Sequence, residues 1–402
     1  MSRPLASGAA MRHLWGMDGD AYTLDLTPSI SALPAADWDR LAGPSNPFVS
    51  HAFLTALEDG GAVGGDSGWD PMHLVLRDAG GRMMAAMPHY LKHHSYGEYI
   101  FDHSWANAFM RAGGTYYPKM LSAIPFTPAT GPRFLTGDAA PDLAARLRSA
   151  LASGMTQYLD RFDLSSAHIN FLPETDTAAL ASQGWMIRSS IQFHWHNNGY
   201  DSFDDFLAAL SSRKRKNIRK ERRTVAEAGV RLLRLSGDDI TPAHIDDFYR
   251  FYLSTIDRKW GGAYLTRDVF HHLRDSIADR MLLVMAEHDG RIIGGALNFI
   301  GGDTLFGRNW GADIDIPCLH FEACYYQAIE FAIERKLAVV EAGAQGFHKV
   351  QRGYMPITTW SAHWIAHDGF RAAVERFLDA ERRGIDDEKN AIALEASPFR
   401  KK

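Results

Sequence analysis

The segment with the most chemistry in this chain is Glu341-AGAQGFHKVQR-Gly353. It crowds Gln345, His348, Lys349 and Arg352 into one turn-rich stretch after a short apolar strand expected at Leu337–Glu341. Glycines at 343, 346 and 353 allow backbone to approach a ligand closely. An imidazole titrates near working pH, so His348 suits the task of taking a proton from an ammonium. Lys349 and Arg352 suit a carboxylate or phosphate. With Glu341, His348 and Lys349 form the candidate catalytic set, and Gln345 and Arg352 the binding set beside it. A solvated charged loop is the plainer reading of the same residues.

A basic helix is the second candidate. Ser211–Gly229 holds eight Arg or Lys between positions 213 and 223, with Glu221 alone interrupting. Leu210, Ile218 and Val225 give it a narrow apolar seam, Ser211 or Ser212 a cap, and Gly229 a stop. Arg215, Arg219, Arg222 and Arg223 share a face by helical spacing. Like charges so spaced repel unless an anion offsets them, so these four are read as phosphate-binding. A solvated helix between domains competes with that reading.

Asp102–Arg133 is the third. Its prolines 118, 125, 128 and 132 forbid a long regular element. Ordered irregular loops of this length are usually functional. Asp102, Trp105, Tyr116, Tyr117, Lys119 and Arg133 are its candidate substrate residues, against a packed loop with a buried tyrosine pair. Arg258 and Lys259, ahead of Tyr264, suit either a helix end or a substrate. His320 and Glu322 open a helix where free N–H groups attract anions. Asn309 and Trp310 close the strand before that helix. His194 and His196 share a strand face without a third ligand nearby, so core histidines are expected there and no metal.

Positioning these residues requires a fold, and the sequence repeats one. His73–Phe109 and Met281–Asp313 each read as strand, Asp/Gly turn, strand, polar turn and third strand, aligning Arg82 with Arg291 and Trp105 with Trp310. A helix and strand come after each copy, at 142–159 and 167–172, then at 319–336 and 337–341. Closing segments share His194-Trp195 and His363-Trp364. Two helices, 242–256 and 267–279, precede the second copy. The expectation is an α+β protein of two duplicated domains, each a mostly antiparallel sheet flanked by helices. The boundaries are a disordered tail at 1–20, domains at 21–200 and 201–375 (the second opening with the basic helix at 211–228), and a tail or peripheral helix at 376–402.

The 402 residues suit two domains. Net charge of −5 is too mild for a nucleic-acid coat, and two cysteines cannot build a disulfide framework. Apolar runs fall short of a membrane span, and the first twenty residues lack a signal-peptide core. A cytoplasmic location is expected.

Helices, meander, splayed strand, helix and closing strands resemble the GCN5-related acyltransferase (GNAT) fold. Doubled, they resemble the FemAB-like peptidyltransferases of peptidoglycan biosynthesis, in particular the branch of predicted N-acyltransferases. The motifs are Phe101-DHSW-Ala106, Tyr116-YPKMLSAIPFTPATGP-Arg133, Arg258-KWGGAY-Leu265, Arg308-NWG-Ala312, Leu319-HFEACYYQA-Ile329 and Glu341-AGAQGFHKVQRGYM-Pro356. The resemblance implies an oxyanion site on backbone near Arg308–Gly311 and a basic helix facing phosphate. Two departures stand out. Gly311-ADIDIPC-Leu319 lacks the glycine-rich pyrophosphate loop of acetyl-CoA users, and Phe347 stands where the family motif has an acidic residue.

The leading expectation is an N-acyltransferase joining an activated acyl group to an amine. The donor would be an acyl-CoA or an aminoacyl-tRNA, used as co-substrate with no tightly bound cofactor. The acceptor would be an amine-bearing small molecule or peptide/glycan precursor, with tRNA as a further partner. The rival is a non-catalytic RNA- or glycan-precursor-binding protein on a degenerate GNAT fold, in which Trp105, Trp260 and Trp310 stack a base or sugar.

Overall fold

The computed structural model describes residues 12–17, 20–257, 262–343 and 346–400. The chain divides into two compact units. One comprises Met1–Gly43, Phe48–Arg188 and Trp360–Asp379; the other Pro44–Pro47, Ser189–Thr359 and Ala380–Lys402. Each has the order expected of a GNAT-like domain.

In the first unit Asp20–Thr27, His73–Arg77 and Met83–Met87 form an antiparallel sheet. The strand Lys119–Ser122 then crosses over, through the helix Pro141–Arg161, to pair in parallel with Ser166–Leu172. Pro141 occupies the first helical turn, where its missing N–H costs nothing. Leu147, Leu151, Met155 and Leu159 recur at helical spacing and are fully buried. With Leu24, Leu74, Leu76, Met87 and Ile169 they make the core of this unit. Gly154 lies where that helix meets the sheet, and a Cβ there would come 2.1 Å from Leu24 Cδ2, so that leucine would have to move.

In the second unit Met281–His288, Arg291–Gly301 and Thr304–Ala312 form the expected meander. A helical segment from Leu319 to Glu334 crosses over to Val339–Glu341, parallel to Thr304–Phe306. Its core joins Leu282, Val284, Leu305, Ile329, Phe331 and Trp195.

Three expectations need correction. Trp105 does not end a strand but lies in the helix His103–Arg111, whose spacing buries Trp105 and Ala106 together; only Trp310 sits on a strand. The first unit's counterpart of that strand is Lys119–Ser122. The expected cut at residue 200 also fails, because closing strands are exchanged. Ser166–Leu172 pairs with Trp360–Ile365, and Val339–Glu341 with 194–196. His194 and His363 hold equivalent places, opposite Glu341 and His168. The N-terminal tail contains a strand, Arg12–Met17, antiparallel to the strand after it. Of the two alternatives expected at the C-terminal end, the helix is present, running Asp368–Ala391; after it Ile392 enters the second unit's core and Phe399 bridges Leu210.

Candidate functional site

The parallel ladder of the second unit runs only from Thr304 opposite Val339 to Phe306 opposite Glu341. On the other side of the same strand the register slips, Leu297 facing Asn309 and Asn298 facing Gly307. Arg308 is therefore the bulged residue, and a bulge bends its strand and re-aims the residues after it. Asn309 and Trp310 lie just beyond it. Glu341, buried, ends the short strand where the pair parts, 3.9 Å from His194 Nε2. Burial lowers the His194 pKa to about 3, so that imidazole is neutral.

Next in the chain comes the turn Phe347–Arg352, with Gly353 at φ 92°. His348 is exposed. Burial of part of its ring, then Arg352 and Lys349, lower its pKa. Its ring lies 5.7 Å from Phe321, 5.8 Å from Tyr325 and 5.9 Å from His320, which in turn lies 5.7 Å from Trp310. The sequence-predicted His348, His320 and Trp310 are thus brought together. Tyr325 Oη meets His348 Nε2 at 3.0 Å.

Lys349 and Arg352 point elsewhere than expected. Lys349 is buried and donates to the carbonyls of Ala342 and, at 3.1 Å, Gly343; burial lowers its pKa to about 8. It ties the turn to the strand end rather than offering a charge to a ligand. Arg352 lies 3.4 Å over the Phe321 ring and donates to both Glu221 oxygens at 2.8 and 2.9 Å, and to the His348 carbonyl at 2.8 Å. Gln345, Arg258 and Lys259 lie outside the described residues, as does the Phe347 side chain. Tyr264 is 40 % exposed.

The basic helix runs Ser212–Glu227 with Ile218 and Val225 buried, as its seam predicts. Its four nominated arginines do not form a free face. Arg222 is held by Glu322 and Glu330, each within 3.1 Å. That removes Arg222 from the phosphate set and Glu322, buried and also bonded by Gln327, from the substrate set. Arg219 pairs with Asp204 at 2.9 Å and Arg223 with Glu227 at 4.0 Å, both in the open. Arg213, Lys214, Arg215, Lys216 and Lys220 have no carboxylate partner among the described residues.

Sequence reasoning missed Phe321, Tyr325 and Tyr326 as site residues because it assumed an unbroken α-helix. Glu322–Tyr326 is a π-helical turn, which inserts a residue and rotates both tyrosines relative to the stripe an α-helix would give. Tyr326 donates its hydroxyl to Glu221.

The first unit's candidates converge too, but inward. Lys119, fully buried, donates to Asp102 Oδ2 at 2.6 Å, Glu98 Oε2 at 2.9 Å and Ser95 Oγ at 2.9 Å. Tyr116 donates to Asp102 at 2.7 Å, Ser95 donates to Asp102, and Tyr117 Oη lies 2.8 Å from Ser95 Oγ. Behind them His168 and His363 share a 2.8 Å bond between Nδ1 atoms, and Trp105 stands edge-on to His363 at 5.0 Å. Arg133, also fully buried, donates to the carbonyls of Asn170, Ala129 and Gly131. Asp102, Trp105, Tyr116, Lys119 and Arg133 are therefore interior braces of the proline-rich loop, not walls of a pocket. Only Tyr117 is half-exposed.

Lys92 adds a second buried lysine, its Nζ 3.8 Å over Trp69 and bonded to the Tyr96 carbonyl at 3.2 Å. Burial lowers its pKa to about 7, against the pull of Glu98. A base depressed from 10.5 contributes stability above that value and loses it as pH falls through about 7. Lys92→Met removes this contribution. Its melting temperature relative to wild type should therefore rise more at acid than at alkaline pH, and a pH-independent difference would contradict the assignment.

A family model described as FemAB-like, peptidoglycan biosynthesis/recognition, matches residues 29–401. The chain belongs to the FemAB-like family. No curated protein matches it. Among solved structures, FemX is similar at 11 % identity and TM-score 0.53, covering 85 % of this chain and 98 % of that one. The C-terminal domain of a putative lysylphosphatidylglycerol synthetase from Agrobacterium fabrum is similar at 9 % identity and TM-score 0.51, covering 86 % and 96 %. At these identities the likeness concerns the fold, a tandem GNAT-like arrangement of this FemAB-like chain. No described helix is long and apolar enough to cross a membrane.

Proposed function

We propose that this FemAB-like protein is an N-acyltransferase, joining the acyl group of an acyl-CoA or aminoacyl-tRNA to an amine, with its chemistry in the second unit. The observation that carries the reading is the parted strand pair. The parallel ladder stops at Phe306 opposite Glu341, while beyond the bulge at Arg308 residues 309–312 stay paired with 294–297 on the other side, and Glu341 lies at the parting. Acyl transfer needs N–H donors where the carbonyl oxygen gains charge, and a base for the attacking ammonium. The strand backbone supplies the donors and Glu341 the base. His348, on the next turn of the chain, makes the remaining polar contact. Family and fold support a transferase in general; the amine-bearing acceptor, a small molecule or a peptide or glycan precursor, is part of the proposal.

Incubation with mixed acyl-CoAs and charged tRNAs, read by mass spectrometry for transferred label, tests it. Transfer from neither class, with the intended acceptors present, rejects it. The basic helix separates the donors. Replacing Arg213, Lys216 and Lys220 by Gln should weaken tRNA binding and flatten its salt dependence, by about 0.7–0.9 log units per log of salt for each lost contact. An acyl-CoA donor has few phosphates, so its slope would be shallow in the wild type already.

A further inference from the structure

Tyr325 and His348 meet at 3.0 Å between Oη and Nε2, and which of them donates decides what the imidazole can do. Tyr325 is 4 % exposed, and burial pushes its phenol well above the ordinary range, so it keeps its proton. Among the described residues its hydroxyl has no other acceptor. A buried O–H left without one is costly, so the hydroxyl is donated to Nε2. A neutral imidazole has one lone pair and one N–H. With the lone pair of Nε2 taken, the proton sits on Nδ1, which has no protein partner among the described residues.

We infer that Tyr325 locks His348 in its Nδ1–H form, so that the exposed imidazole offers a hydrogen bond to an anionic oxygen of a ligand instead of a lone pair to an ammonium. The inference rests on placing the site at this turn, and it replaces the role of base expected from sequence. The charges nearby agree. Arg352 is balanced by Glu221, whereas Lys214, depressed by partial burial, Arg213 and Arg352, has no acidic partner among the described residues. The ligand class is a carboxylate or a phosphate; Tyr325 is a positioning residue.

Long-range proton–nitrogen NMR on labelled full-length protein tests this without a known reaction, so its failure and that of the transferase reading are distinguishable. The His348 signals are assigned by their loss in His348→Gln. At a pH of about 8, above the ordinary histidine range, a pyrrole-like Nδ1 and pyridine-like Nε2 are expected. The reverse pattern overturns the proposal. Tyr325→Phe should shift the population toward the Nε2–H form with other histidine signals unmoved, and an unchanged tautomer removes Tyr325 from the role. Titration with inorganic phosphate and with acetate should move Nδ1 saturably in at least one arm, which identifies the anion; no saturable shift in either overturns the ligand assignment.

Discussion

Lys119→Met should lower the stability of the protein by about 3–5 kcal/mol. Lys119 is fully buried between Asp102 and Glu98, at 2.6 and 2.9 Å. Burial alone would lower its pKa, but the two carboxylates outweigh it and leave it raised. The carboxylates differ in turn. Burial raises Glu98 to about 7 despite Lys119, whereas at Asp102 Lys119 and then His168 overcome burial and hold it well below the carboxylate range. Without the ammonium, Asp102 keeps the Ser95 and Tyr116 hydroxyls and His168 at 3.6 Å, and must either hold a charge in the interior or take up a proton. For a unit of this size the loss corresponds to a fall in melting temperature of roughly 6–20 °C. The control is the triple change Lys119→Met, Asp102→Asn, Glu98→Gln, which removes both acids with their partner and should recover most of the loss. Calorimetry showing Lys119→Met within a degree or two of wild type would refute the brace.

Glu98 also gives this cluster a pH dependence. A carboxyl raised from 4.5 to about 7 contributes stability below 4.5 and loses it as pH rises through about 7. Lys92 works on the alkaline side, regaining its contribution between about 7 and 10.5. The two together place a shallow minimum of stability near neutrality, and Glu98→Gln should remove its acid limb.

Periodicity and turn chemistry made much of the fold legible, because they are local. The second meander, the crossover helices and the basic helix with its seam are dictated by apolar spacing, Asp/Gly turns, Pro141 and Gly229. The failures are non-local. Trp105 and Trp310 match as letters, but whether a tryptophan ends a strand or faces inward from a helix depends on what awaits it, here His363 from far along the chain. The exchange of closing strands leaves no local trace, since each strand reads the same whichever neighbour it pairs with. For the site, sequence nominated His348, His320 and Trp310 in separate motifs, which the fold brings together, but it read several partnered cations as ligand-binding. Arg133, Lys119, Lys349, Arg222 and Arg352 look like ligand-binding charges when their partners are unseen. Four of the five are placed by bonds to carbonyls or acids distant in sequence, and the fifth, Lys349, by the carbonyls of Ala342 and Gly343 at the end of the preceding strand.

Arg352→Ala should combine the largest structural and functional effects in the second unit. The guanidinium clamps three elements at once: Glu221 of the basic helix, the Phe321 ring beneath it, and the His348 carbonyl within its own turn. Glu221 would retain the Tyr326 hydroxyl as its partner. Its side chain is 22 % exposed, so water offsets part of the loss, and about 2–4 kcal/mol is expected instead of the full cost of breaking a buried pair. Arg352→Lys keeps the charge but neither the planar stack nor the paired donors, and should fall between Ala and wild type. Glu221→Gln with Arg352→Met should recover stability without recovering the turn that presents His348. That separation is the sharpest check. If the double variant melts like wild type but its His348 signals lose their single tautomer, Arg352 holds the turn; if stability and His348 both stay normal in Arg352→Ala, the clamp has no role.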